Sequence, residues 1–276
     1  MHFRYQRSYR GPVQAVIFDW AGTTVDFGSL APVAAFVQLF QANDIVITLD
    51  EARLPMGTEK REHIRRLCTL PEVTARWREQ YGTEPDGTAI ERLYRQFIPL
   101  QSEVIHQFAE LIPGCLETVM ALRQRGIKIG ANTGYSREML DPLARVAAEQ
   151  GYLPDSSVCA TEVPRGRPWP CMSLKNLIEL EIETVHAGVK VDDTLPGIEE
   201  GLNAGLWTVA VAVSGNEVGL ALSDWKALDE VSRNTLRRRA YRRLYGAGAH
   251  YVIDSVADLF LCIQDIERRL RCGETP

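Results

Sequence analysis

The chain has 276 residues, 45% of them hydrophobic, and a formal net charge of -5. That is enough to build one large domain or two moderate ones, and too acidic for a general attraction to nucleic acid. No apolar stretch approaches the ~20 residues a membrane helix needs. The arginines at 4, 7 and 10 precede no apolar core, so no secretory leader is expected. The six cysteines (68, 115, 159, 171, 262 and 272) follow no CxxC or zinc-type spacing, as expected of reduced thiols in a cytoplasmic protein.

Residues 1–12 read as a loose extension. The β-branched run from Ala15 to Phe18 predicts a short buried parallel strand that stops at Asp19, with Gly22 close behind to bend the chain. Residues 26–29 form a hinge leading into a helix, with Ser29 as its expected N-cap and Val33, Phe36, Val37 and Phe40 at helical spacing. Segments 58–69, 72–81 and 87–110 also read as helices, separated by Pro71 and by the stretch from Gly82 to Gly87. An all-helical block placed straight after a strand does not continue a parallel sheet; it reads as an inserted cap.

Alternation of strand and helix resumes at Ile112. Strands are expected at 127–131, 157–160, 187–191, 207–213 and 251–253, with helices between them. The fold class is therefore α/β: a Rossmann-like, doubly wound parallel sheet core of residues 1–27 and 107–276, with a helical cap domain at 28–106. The arginines at 233, 237, 238, 239, 242 and 243 read as a solvated helix face rather than a nucleic-acid patch.

Four groups fall at the C-terminal ends of predicted strands: Asp19, Thr133, Arg167 and the pair Asp192-Asp193. Ligands bind at that edge of an open α/β sheet, so the four can converge on one crevice. A hydroxyl and a guanidinium suit phosphoryl oxygens, and carboxylates suit Mg²⁺. Taken singly, each has a plainer explanation: a turn, a polar loop, a surface arginine or a helix N-cap.

The run Asp19-Trp20-Ala21-Gly22-Thr23-Thr24 resembles the first motif of the haloacid dehalogenase-like superfamily, whose first aspartate is a nucleophile. Most of its phosphatases place a second aspartate two positions later as general acid and base, where this chain has Ala21. That departure is similar to the phosphonatase (phosphonoacetaldehyde hydrolase) branch. The resemblance spans roughly residues 13–270. It implies that Thr133 and Gly134 hold the phosphoryl group and that Arg167, in Gly-Arg-Pro, stands where a lysine is usual. It also implies that Asp19, the Ala21 carbonyl and Asp193 bind Mg²⁺. Some members add a metal ligand four positions after Asp193; here that residue is Gly197, and Asp192 is the available substitute, directly or through water.

In the cap, Met56, Lys60 and His63 are spaced to share a helix face. A lysine on a charged helix is ordinarily solvated. The context Pro55-Met56-Gly57 with Lys60 and His63 resembles the phosphonatase cap motif, whose lysine forms a Schiff base with the substrate aldehyde. A departing carbanion is too basic for an aspartic acid to assist, whereas a protonated imine can accept its electrons. Loss of the second aspartate and gain of a cap lysine therefore belong together. The resemblance further implies a small phosphonate substrate, His63 as proton shuttle, Met56 as a positioning group and a homodimer. Rival readings are an ester phosphatase or phosphomutase on the same scaffold, and a non-catalytic phosphate-binding protein.

Overall fold

The computed structural model describes residues 8–105 and 108–276. The first seven residues of the expected N-terminal extension, and the cap's second boundary at 106/107, lie outside the described residues.

Strand β1 (Ala15–Phe18) is buried along its whole length. Ala15 and Ile17 point to one helical layer and Val16 and Phe18 to the other, as the two-residue period of a strand dictates. Around it β2 (Lys128–Thr133), β3 (Ser156–Cys159), β4 (Gly188–Asp192), β5 (Trp207–Val211) and β6 (Tyr251–Ile253) form one parallel sheet in the order β3-β2-β1-β4-β5-β6. The chain winds outward in one direction through β2 and β3 and in the other through β4 to β6. The crevice between β1 and β4 is the topological switch point.

Helices α1 (Leu30–Gln41), α2 (Leu49–Arg53), α3 (Lys60–Cys68), α4 (Pro71–Tyr81) and α5 (Gly87–Ile105) follow β1 with no strand among them. The sheet is covered by α6 (Cys115–Gln124), α7 (Arg137–Glu149), α8 (Cys171–Glu179), α9 (Leu195–Asn203), α11 (Glu230–Gly246) and α12 (Leu259–Arg271), with the short α10 (Leu222–Ala227) before α11. One apolar cluster runs from β1 through Trp20 into Phe36 and Phe97 of the inserted helices and Met56 of the turn before α3, so these helices and the sheet share buried surface.

Several local expectations are corrected. Ser29 precedes α1 but sits at φ 50° and makes no side-chain cap bond. Asp26 caps the helix instead, its two oxygens each accepting at 3.0 Å from the backbone N–H of Leu30 and Ala31. Helix α2 was not expected; five residues are too few for a periodic pattern, although Thr48 and Glu51 form a capping box. The expected helix 58–69 starts at Lys60, leaving Met56 in the turn before it rather than on a shared face. The expected helix 87–110 is helical through Ile105; residues 106–107 of it lie outside the described residues, and Ala109 and Glu110 are not helical. Strand β2 runs on to include Asn132 and Thr133, and β5 stops at Val211 rather than 213.

Candidate active site

Register brings the chemistry together. Phe18 pairs with Ala131 on one side and Val191 on the other, so the next residues, Asp19, Asn132 and Asp192, emerge at one level. Asp19 donates its backbone N–H to the Val191 carbonyl at 2.9 Å and is 5% exposed.

Arg167, from the loop after β3, is buried among these groups. Its Nη2 lies 2.6 Å from Asp19 Oδ1, 2.7 Å from Asn132 Oδ1 and 3.2 Å from Asp192 Oδ2. Its Nε donates to Glu200 Oε2 at 3.0 Å. The other oxygen of Glu200 accepts from Asn132 Nδ2 and from the backbone N–H and hydroxyl of Ser173, so the carboxylate cannot rotate freely. Lys190 Nζ completes the network, 2.7 Å from Asn132 Oδ1 and 3.0 Å from an oxygen of Asp192. With this many opposed charges buried together, the network stands only because each one is partnered. The Arg167 guanidinium is thereby aimed at the sheet edge, one amino group on the carboxylate of Asp19.

Asp19, Asp192 and Asp193 offer oxygens within 4.8 Å of one another, all buried. Burial pushes Asp19 upward in pKa, against the pull of Arg167 and reinforced by Asp192. Asp193 is driven well above its ordinary value by burial and by Asp19 and Asp192. Asp192 differs: despite its burial, Arg167 and Lys190 hold it low. Arg167 and Lys190 thus hold Asp192 charged and Arg167 is shared with Asp19, while Asp193 faces both carboxylates with no ion pair of its own among the described residues. An all-oxygen site of three buried carboxylates fits a hard divalent cation, and Asp193 is the one that has no cation of its own among the described residues. Asp193 is braced for this: Asn216 donates its backbone N–H to Oδ2 at 2.8 Å. Gly197 lacks a side chain for a steric reason, since a Cβ there would lie 2.0 Å from Asp192 Cγ. The Asp192 carboxylate already fills that space, accepting the Thr194 hydroxyl at 2.7 Å.

Above the sheet edge lies a cavity of about 20 Å³, room for a single water. Asp19, Ala21, Met56, Lys60, Thr133, Gly134 and Arg167 all line it. Lys60 is 4% exposed and, among the described residues, its ammonium makes no hydrogen bond or ion pair. It lies 4.8 Å from the centre of the Tyr135 ring and 5.6 Å from that of Phe36. Burial brings its pKa from 10.5 down to about 8, against the pull of Asp19 and with help from Arg167. Two glycines let the turn before α3 meet the loops at the sheet edge this closely. A Cβ on Gly57 would fall 2.2 Å from Thr194 Oγ1, and one on Gly134 would fall 2.5 Å from the Thr58 carbonyl oxygen.

His63 does not line the cavity. It is fully buried one turn along α3, its ring stacked at 3.8 Å on Phe36 and its Nε2 2.9 Å from the Ala52 carbonyl oxygen. Burial, and then the charge on Lys60, hold it well below 6.5. Nε2 therefore carries the proton and donates it to Ala52, leaving Nδ1 buried without a partner among the described residues. Glu200, Asn132, Lys190 and Tyr135 were not singled out from sequence. Lys190 left a trace, a charge inside the apolar strand Gly188–Asp192, which requires a buried partner. Glu200 left none, being one glutamate of two in a polar turn of helix.

A model of the haloacid dehalogenase-like hydrolases matches residues 13–205. The chain is 59% identical to the phosphonoacetaldehyde hydrolase of Hahella chejuensis, covering 100% of this chain and 94% of that one. It is 46% identical to the enzyme of the same name from Pseudomonas fluorescens, over 97% and 98% of the two chains. The crystal structure of a phosphonoacetaldehyde hydrolase-like protein from Oleispira antarctica superposes with a TM-score of 0.98 at 52% identity, covering all of both chains. A β-phosphoglucomutase from Clostridium difficile, at 17% identity and TM-score 0.66, shares the fold alone. With its sheet order and its carboxylates at the switch point, the chain belongs to the haloacid dehalogenase-like hydrolases. Within them it is an enzyme of the phosphonoacetaldehyde hydrolase family.

Proposed function

We propose that the protein hydrolyses phosphonoacetaldehyde to acetaldehyde and phosphate through a Lys60 imine and an Asp19 phosphoryl intermediate. The observation that carries this reading is Lys60, buried beside the cavity that Asp19 also lines, with no anion bonded to it among the described residues and Ala21 where a general acid would stand. Neutral Lys60 adds to the aldehyde carbon, and loss of water gives the imine. Asp19 attacks phosphorus in line; the C–P bond breaks and its electron pair passes into the protonated imine as an enamine. Arg167 and the Thr133–Gly134 turn hold the phosphoryl oxygens. Water then cleaves the aspartyl phosphate, and protonation of the enamine carbon followed by imine hydrolysis returns Lys60. Met56 packs beside the aldehyde, and His63 acts from behind Lys60 as its proton relay. Mg²⁺ held by Asp19, Asp193 and the Ala21 carbonyl, with Asp192 beside it, would offset the charge on the phosphoryl oxygens and the nucleophile.

A cavity of about 20 Å³ cannot admit the substrate, so we take residues 28–106 to swing open and closed as a cap. Exposed Leu49 in α2, with exposed Val46 before that helix and Leu54 just after it, supports a homodimer that covers them, and the free cysteines suit a cytoplasmic protein. Among the described residues no helix is long and apolar enough to cross a membrane.

The deciding assay offers a phosphonate, a phosphate ester and no substrate. Phosphate and acetaldehyde are expected from the phosphonate alone; release from the ester would favour the phosphatase reading, which Ala21 disfavours. The pH profile is a second check. With a pKa of about 8, roughly a tenth of Lys60 is neutral at pH 7, against roughly 0.03% at an unshifted 10.5. Imine formation needs the neutral amine, so kcat/KM is expected to rise about tenfold per pH unit and level off near 8. A limb near 10.5 would mean that Lys60 works in water.

Chelation is expected to silence the enzyme and Mg²⁺ to restore it. Asp193→Ala should raise the Mg²⁺ requirement far more than Asp192→Ala, because Asp192 is already neutralised by Arg167 and Lys190. The reverse order would exchange the two assignments. Glu200→Gln is expected to lower kcat by about two orders of magnitude with the fold intact, since an amide nitrogen facing Arg167 Nε turns the guanidinium away from Asp19. Wild-type turnover in that variant would show that Arg167 needs no such alignment.

A further inference from the structure

We propose that Arg53 is a positioning residue that fastens the closed cap to the core and, through Asn216, sets the carboxylate of Asp193. Arg53 ends α2 in the inserted helical block, yet its guanidinium bonds groups of the core and the linker. Nη1 donates to Asn216 Oδ1 at 3.0 Å and to the Gly28 carbonyl at 3.0 Å, and Nη2 donates to the Gly219 carbonyl at 2.9 Å. The place is shaped for it: a Cβ on Gly219 would lie 2.7 Å from Arg53 Cζ.

The segment it grips, residues 214–219, touches both the hinge and the acidic cluster. Ser214 accepts the Gly28 backbone N–H at 2.7 Å and donates its hydroxyl to the Gly22 carbonyl at 2.9 Å. Asn216 uses its side chain for Arg53 and its backbone N–H for Asp193 Oδ2. The same segment packs on Asp193 so tightly that a Cβ at Gly215 would fall 2.3 Å from Asp193 Cβ. Movement of Arg53 is therefore movement of the residue that orients Asp193.

The chemistry of the clasp suits repeated release. Among the described residues Arg53 makes no ion pair; these acceptors are all neutral oxygens, which water can replace. A guanidinium on carbonyls holds a position by its planar geometry without locking it as a buried carboxylate would. The linker has matching features: Asp26 and Ser29 sit at φ 58° and 50°, where a non-glycine backbone is strained and has reason to change state. On this inference, cap closure and alignment of the metal-binding carboxylate are one event. It rests on the reading above in taking the cap to open and close and Asp193 to hold Mg²⁺.

The test compares wild type with Arg53→Gln, Arg53→Lys and Asn216→Ala by hydrogen exchange of the segment 54–60 and by calorimetric titration with Mg²⁺. In Arg53→Gln, exchange of 54–60 is expected to quicken about tenfold and Mg²⁺ to bind about tenfold more weakly, the weight of one charged hydrogen bond. Arg53→Lys should fall between, since an ammonium reaches fewer of the three oxygens. Asn216→Ala, which keeps its backbone N–H, should reproduce the loosening, and adding it to Arg53→Gln should cost less than the sum. Unchanged exchange at 54–60 in Arg53→Gln would overturn the clasp, and additive effects of the two substitutions would overturn its link to Asn216. Faster exchange with unaltered Mg²⁺ affinity would overturn the coupling to Asp193. Neither measurement uses turnover, so a wild-type protein that failed to cleave the phosphonate would sink the proposed reaction and leave this result standing.

Discussion

Treatment with phosphonoacetaldehyde, or with acetaldehyde, in the presence of borohydride is expected to inactivate the protein and leave a two-carbon adduct on Lys60. Borohydride reduces an imine to a secondary amine that water cannot reverse, and peptide mass mapping locates it. The expectation follows from the lysine's surroundings: a buried amine with a pKa of about 8 is neutral often enough to attack a carbonyl near neutral pH. Lys60→Arg keeps a cation at the site but removes the nucleophile, because a guanidinium stays protonated. It should resist trapping and lose activity on the order of 10⁴- to 10⁶-fold. An adduct on another lysine, or full turnover by Lys60→Arg, would end the imine mechanism.

Asp19→Asn is expected to lose comparable activity while remaining folded. The amide keeps the shape and can still accept from Arg167 Nη2, now 2.6 Å away, but it is a poor nucleophile and a weaker ligand for a cation. The sign of the stability change separates this from damage to the fold. Burial raises the Asp19 pKa in the folded state, so its contribution favours folding at low pH and is lost as pH rises and the carboxylate ionises. At neutral pH without metal, a neutral amide removes that burden, and the melting temperature should not fall. Phosphate release near the wild-type rate would remove Asp19 from the chemistry, and a collapse of the melting temperature would point to a structural role instead.

The parallel core was legible because each strand is a short apolar run ending in a polar signature, and the helical insert because no strand pattern interrupts it. Those runs gave the C-terminal ends of β1 and β4 to within a residue, enough to bring Asp19 and Asp192-Asp193 together. What stayed hidden was set by tertiary contact. Ser29 looks like an N-cap by type, but the hinge twists its backbone left-handed and Asp26 reaches the helix instead. Met56 and His63 match Lys60 in helical spacing, yet α3 begins only at Lys60, so Met56 faces the cavity from a turn and His63 faces Phe36. Glu200 and Asn132 align Arg167 from a distant helix and a strand end, and nothing local marks either one. The family resemblance supplied Lys60, whose burial no periodicity would have revealed on a helix as charged as α3.

The steric exclusion between Asp192 and Gly197 bears on how such a site could have diverged. A strand-end carboxylate and a carboxylate one helical turn on would claim the same volume, so the two are alternatives rather than additions. Putting an acid at 197 while Asp192 remains would force two anions into one space. Removing Asp192 first would strip Lys190 and Arg167 of a shared counter-charge. Each change alone is therefore expected to be harmful and the pair to be far from additive, a case of reciprocal sign epistasis.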